Sequence, residues 1–214
     1  MIGDKLIIKD EHRRAAEQIV ERILPALRSC PRAYIITIAG ESGSGKSEAG
    51  QAIADALIRR GFKTLVFQQD DYFVHPPKTN DRTRRKDISW VGMQEVRLDL
   101  LDKHLAQARS GAQRIVKPLV VYEEDRIIEE TVSLEGIAAV VAEGTYTTEL
   151  ENVDTRVFID LTYLETLRSR LERAREAQDE FLETVLEIEH RIISAHRNRA
   201  DYIIDKQYEV MGSS

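Results

Sequence analysis

One stretch constrains this chain more than any other. Gly40-Glu41-Ser42-Gly43-Ser44-Gly45-Lys46-Ser47 satisfies the pattern G-x-x-x-x-G-K-[ST]. It stands between Tyr34 to Ala39, an apolar β-rich run of the kind found in buried parallel strands, and Lys46 to Arg60, a helical segment closed by Gly61. Glycines let a backbone fold tightly enough for its N–H groups to face phosphate oxygens, and a helix N-terminus adds a favourable dipole for an anion. In that setting Lys46 reaches the β and γ phosphates of a nucleotide and the Ser47 hydroxyl sits on Mg2+. Gly40, Glu41, Ser42, Gly43, Ser44, Gly45, Lys46 and Ser47 are thus the expected ATP-binding residues.

The rest of the chain fits around that loop. Asp10 to Arg28 carries Ala15, Ile19, Ile23 and Leu27 at helical spacing, an outer amphipathic helix within an extension covering residues 1–30. Lys63 to Gln69, Ile137 to Ala142, Arg156 to Leu161 and Ala200 to Asp205 read as strands, the last closing the sheet. Met93 to Arg109 reads as a helix, and Arg114 to Tyr122 with Arg126 to Leu134 as a hairpin turning at Glu123-Glu124-Asp125. Asp70 to Ser89 has no apolar period, contains Pro76-Pro77 and reads as a long functional loop. Leu164 to His196 is a charged helical region suited to a lid. Strands alternating with helices predict an α/β fold with a mainly parallel sheet and ligands at the carboxyl ends of the strands. At 214 residues the chain suits a single domain over 1–214, with Gly212-Ser213-Ser214 set aside from the fold.

Acids at the strand ends are the next candidates. Asp70 and Asp71 follow the second strand, on the edge that carries the phosphate loop if that strand is parallel and adjacent. A carboxylate there can take a proton from an acceptor hydroxyl and help hold magnesium, so Asp70 is both the expected base and a metal ligand. Asp71 and Tyr72 are expected beside the acceptor. Glu143, before Gly144, is the remaining candidate for orienting the metal, with Ser47 and Asp70. Arg168, Arg170, Arg173 and Arg175 are too closely spaced to share one helix face, so some are solvated or paired and one or two close over the phosphates. The five histidines show no metal-ligand spacing, and only His75 lies in the loop near the acceptor. Trp90 and Met93 read as anchors.

Net charge −6 and a pI near 5.5 leave no basic face for nucleic acid. The single cysteine, Cys30, can form neither an intrachain disulfide nor a cysteine metal site, which favours a reducing, cytoplasmic setting. No segment has the length and apolarity of a membrane span, and the N-terminus lacks the apolar stretch of a signal peptide. The N-terminal helix suits packing and an interface equally, so a homo-oligomer stays open.

The chain resembles the family of uridine kinase, phosphoribulokinase and related small-molecule P-loop kinases. The resemblance is carried by Ile38 to Ser47, Gln69-Asp70-Asp71-Tyr72-Phe73, Ala142-Glu143-Gly144, the arginine-rich stretch after Asp160, and Ala200-Asp201-Tyr202-Ile203-Ile204, and it spans most of the chain beyond residue 33. It implies a nucleoside-kinase-like P-loop fold, Mg-ATP dependence, phosphorylation of a hydroxyl on a small molecule, and a catalytic Asp70. By the same resemblance Arg173 serves catalysis, Arg175 holds the nucleotide, and Tyr122 and Arg126, after Pro118, echo an acceptor hairpin. The pattern departs at Trp90 to Glu95, where uridine kinases carry an Asp-His-Pro-rich segment, and in the lid, which lacks a Glu-Arg-Gly-Arg element. A nucleotide-dependent switch or a binding-only relative is the alternative reading, although the Asn-Lys-x-Asp mark of guanine recognition is absent.

Overall fold

In the computed structural model, which describes residues 1, 6–167, 170–171 and 179–212, Tyr34–Gly40 forms a strand in which every residue is buried. In chain order the strands are β1 (Tyr34–Gly40), β2 (Thr64–Gln68), β3 (Arg114–Val121), β4 (Arg126–Ser133), β5 (Ala139–Glu143), β6 (Thr155–Ile159), β7 (Tyr202–Ile204) and β8 (Val210–Gly212). The helices are α1 (Asp10–Ser29), α2 (Lys46–Arg59), α3 (Pro77–Lys86), α4 (Leu98–Arg109) and α5 (Glu180–Ile193). The main sheet has the order β2-β5-β1-β6-β7-β8, parallel except for β8, while β3 and β4 form a separate antiparallel hairpin.

Side chains alternate across this sheet and build a core on each face. Ile36 and Ile38 of β1 pack with Ala15, Ile19, Ile23, Ile53 and Leu57 of α1 and α2. Ile35 and Ala39 face the other way, toward Phe67, Leu101, Leu105, Tyr146 and Ile193. Among the described residues no helix is long and apolar enough to cross a membrane.

Four details depart from the expectations. First, β2 is parallel to β1 but not adjacent to it, because β5 lies between and pairs with both. Second, the polar stretch after Asp70 contains α3. This helix has no apolar period because its hold comes from charge and from a distant cap: Pro77 opens it, and Asp125 of the hairpin turn accepts from the backbone N–H of Lys78 at 2.7 Å and of Thr79 at 3.2 Å. Third, α4 begins at Leu98 rather than Met93. Gly92 takes φ +136°, its N–H donates to the Glu95 carboxylate at 2.6 Å, and Val96 is extended, so Met93–Glu95 is a separate tight turn. Fourth, β7 is not the last strand, since the chain turns at Asp205 and returns as β8.

Candidate active site

The loop between β1 and α2 is built as its sequence requires. Gly45 sits at φ +88° immediately before Lys46 opens the helix, and a Cβ there would lie 2.7 Å from the Tyr208 hydroxyl, so the position excludes a side chain on two grounds. The Lys46 ammonium crosses the loop and donates to the Glu41 carbonyl at 2.8 Å. The Glu41 side chain turns outward and ties the loop to its surroundings. Its carboxylate accepts from the Tyr163 N–H at 2.6 Å, and its other oxygen meets His190 Nδ1 of α5 at 2.6 Å. Thr166 adds a hydrogen bond to the Ser42 carbonyl at 2.8 Å. The Ser44 hydroxyl is buried, with no hydrogen-bond partner among the described residues.

Three strand ends reach one level beside this loop, because Ile38 of β1 and Gln68 of β2 are both in register with Glu143 of β5. Glu143 is 4% exposed, and its carboxyl is pushed up to about 7, first by burial and then by the charge of Asp70. Lys46 and a hydrogen bond from Ser47 pull it the other way. Lys46, Ser47 and Asp70 therefore all act on Glu143. Two carboxylates and a hydroxyl are hard oxygen donors that suit Mg2+. Among the described residues no cluster of three or more His, Cys, Asp or Glu is arranged to hold a metal.

The short turn Gln69–Tyr72 sends neighbouring residues to opposite sides. Asp70 lines a cavity of about 470 Å³, which Ser42 and Gly43 of the phosphate loop also line. Asp71 points inward: it is 3% exposed, pairs with the Lys117 ammonium at 2.9 Å and accepts from the Val120 N–H at 3.0 Å. Tyr72 is fully buried, its hydroxyl 2.9 Å from His104 Nδ1, and burial pushes the phenol up. The structure thus places Asp71 and Tyr72 beneath the site, where they fix the turn to the hairpin and to α4, and not on the cavity wall. The reason is local geometry: a turn this tight cannot direct three consecutive side chains to one side.

Tyr122 lines the cavity with the Lys78 ammonium 5.7 Å above its ring, whereas Arg126 pairs with Glu124 at 2.5 Å on the exposed hairpin end and is not among the lining residues. Arg173 and Arg175 lie outside the described residues. Arg170 of the same stretch lines the cavity and donates to Thr166 Oγ1 at 2.8 Å. The ring of His75 rests against Trp90, 5.5 Å between centroids, and the Trp90 indole N–H donates to Asn80 at 2.9 Å, which is the anchoring role expected of Trp90.

Another part of the cavity wall carries no local sequence signal. Arg84 of α3 bonds the fully buried Glu95 through Nε at 2.5 Å and Glu189 of α5 at 3.0 Å, and Asn80 adds a further donor to Glu95 at 2.5 Å. Asn80, Arg84 and Glu189 all line the cavity. Their separations in sequence, 11 residues from Arg84 to Glu95 and 105 from Arg84 to Glu189, match no local motif.

Residues 35–208 match the model of the phosphoribulokinase / uridine kinase family. A bifunctional alpha-galactosidase/sucrose kinase of Mediterraneibacter gnavus is 27% identical over 190 residues, covering 82% of this chain but only 20% of that protein. The chain spans about a fifth of that relative's length. A uridine kinase of Ureaplasma parvum is 25% identical over 156 residues, covering 71% of this chain and 74% of its own. In fold, a D-glycerate 3-kinase of Cryptococcus neoformans superposes with a TM-score of 0.62 at 13% identity, over 93% of this chain and 98% of that one.

Proposed function

The chain belongs to the phosphoribulokinase / uridine kinase family of P-loop kinases, and on that premise we propose that it is an Mg2+- and ATP-dependent phosphotransferase acting on a hydroxyl of a small molecule such as a nucleoside, a sugar or a related metabolite. One observation carries the reading: Asp70 and the phosphate-loop residues Ser42 and Gly43 line the same cavity. A hydroxyl entering it meets a carboxylate beside the place where the loop would present a γ-phosphoryl group.

In this reading the backbone N–H groups of Gly40 to Ser47 and the Lys46 ammonium hold the phosphates, with Lys46 leaving the Glu41 carbonyl to do so. Ser47 and Glu143, with Asp70, would hold Mg2+, which when bound neutralises charge on the phosphate oxygens. Asp70 takes the proton as the acceptor oxygen bonds to phosphorus and the bond to the ADP leaving group breaks. Arg170 lines the cavity with Ser42 and Gly43 and in this reading faces the transferring group, beside Arg173, which serves catalysis by resemblance, and Arg175, which holds the nucleotide by the same resemblance. The relatives named above phosphorylate sucrose, uridine and glycerate by their descriptions, which makes a hydroxylated metabolite the acceptor to seek.

The test is to incubate the protein with Mg-ATP and a panel of nucleosides, sugars and hydroxy acids, following ADP and new phosphorylated mass. A product formed in step with ADP and lost in Lys46→Ala supports the reading. Slow ATP hydrolysis indifferent to every acceptor would transfer it to a switch.

A further inference from the structure

The strongest feature the proposed chemistry leaves unused lies behind the phosphate loop, where the first turn of α1 meets the turn between β7 and β8. Tyr208, in the turn between β7 and β8, is one of two residues other than glycine at positive φ among those described, at +60°. Such conformations cost of order 1–3 kcal/mol and persist where the surroundings over-determine them, often at functional sites. Here the surroundings are specific. Asp205 fixes the turn, accepting from the N–H of Gln207 and of Glu209 at 2.9 Å each and, through its carbonyl, from the Tyr208 N–H at 2.9 Å.

The Tyr208 hydroxyl then donates to the Ser44 carbonyl at 3.1 Å and lies 3.3 Å from His12 Nε2. His12, 4% exposed in the first turn of α1, accepts at Nδ1 from the Lys9 N–H at 3.0 Å. A ring that accepts at Nδ1 carries its proton at Nε2, so the direction of the chain is set: His12 donates to Tyr208, and Tyr208 donates to Ser44. The two rings meet edge to face, 5.0 Å between centroids.

We propose that Tyr208, oriented by His12, is a positioning residue for nucleotide binding: it holds the Ser44–Gly45 peptide so that the Gly45 N–H faces the phosphates. In a planar trans peptide the carbonyl and the following N–H point opposite ways. A Ser44 carbonyl held outward on Tyr208 therefore turns the Gly45 N–H away from Tyr208, toward the hollow of the loop. Gly45 has the second part in this arrangement, since any Cβ would strike the Tyr208 hydroxyl at 2.7 Å and His12 Nε2 at 3.1 Å. Without the brace the peptide is free to rotate, and one donor to the phosphates is no longer set in advance.

The proposal rests on the phosphate loop holding a nucleotide, and the experiment separates the two. Mg-ATP and Mg-ADP binding are measured by titration calorimetry for the wild type, Lys46→Ala, Tyr208→Phe, His12→Phe and His12→Gln, with ATP and acceptor KM and the melting temperature of each. Tyr208→Phe is expected to weaken nucleotide binding and raise the ATP KM by about 2- to 10-fold, as the net loss of one neutral hydrogen bond implies, with acceptor KM unchanged and kcat within about twofold. His12→Phe should follow Tyr208→Phe, and His12→Gln, which keeps a donor, should recover part of the loss. A wild type that binds no nucleotide overturns both the brace and the ATP reading. A wild type that binds, with Tyr208→Phe binding equally tightly, overturns the brace alone, as does a loss shared by ATP and acceptor KM that tracks a lower melting temperature.

Discussion

Two neighbouring aspartates offer a sharp division of labour, and replacing Asp71 tests it. The Asp71 and Lys117 side chains are 4% and 5% exposed and pair at 2.9 Å, with the Val120 N–H a further donor to the carboxylate. Removing one member of a buried pair costs about 3–5 kcal/mol, since the other charge is left uncompensated. Lys117 keeps Glu130 at 2.8 Å and the Pro118 carbonyl at 2.9 Å, and an amide at position 71 still accepts from Val120, while the Met1 ammonium, 3.1 Å from Asp71, loses its carboxylate. Together these leave Asp71→Asn at about 2–3 kcal/mol, at or just below the lower end of that range. For a chain of this length 1 kcal/mol moves the melting temperature by about 2–4 °C, so a fall of roughly 4–12 °C is expected, read by thermal and urea denaturation. Turnover per folded molecule should persist. A melting temperature within about 2 °C of wild type together with lost turnover would refute the assignment of Asp71 to the scaffold.

Asp70→Asn should do the reverse, lowering kcat by about 10²–10⁴-fold while leaving the melting temperature nearly unchanged; steady-state kinetics beside calorimetry checks this. Gly144→Ala should fail to give a stable fold, because the new Cβ would lie 2.2 Å from the Gln69 Cβ, in a turn at φ +158° that Gln69 also ties through the Tyr146 N–H at 2.7 Å; soluble yield and circular dichroism report it. His104, pushed down to about 4 chiefly by burial, stays neutral in the folded chain while its unfolded counterpart protonates near 6.5. The unfolded state therefore binds the extra proton first, so stability should fall as pH drops from about 6.5 toward 4 and be insensitive to this group above 6.5. His104→Gln should flatten that part of a melting-temperature profile.

What could be read in advance was whatever one short segment determines. β1, the phosphate loop and α2 are contiguous, and their pattern pointed to a strand–loop–helix unit of a P-loop fold, to which the short motifs at the later strand ends added the family. Glu143 was legible for the same reason, as an acid ending an apolar strand before a glycine. What stayed hidden depends on partners far along the chain. Nothing near Asp70 and Asp71 says which turns inward, because the decision rests with Lys117 and Val120, 46 and 49 residues away. Helix α3 is invisible to hydrophobic periodicity because its cap, Asp125, comes from the hairpin turn and its charges close on Glu95 and Glu189. The place of β5 between β1 and β2 follows from packing the whole sheet, and no one strand reveals it.

The central claim, that the phosphate loop and Asp70 form one site for phosphoryl transfer to a hydroxyl, is met most directly by a single kinetic comparison. Wild type, Lys46→Ala and Asp70→Asn are assayed with Mg-ATP and the best acceptor from the panel, following phosphorylated product by mass and nucleotide binding by calorimetry. The account expects product from the wild type, loss of nucleotide binding and product in Lys46→Ala, and retained nucleotide binding with product formation lowered at least about a hundredfold in Asp70→Asn. Undiminished product formation by Asp70→Asn would contradict it.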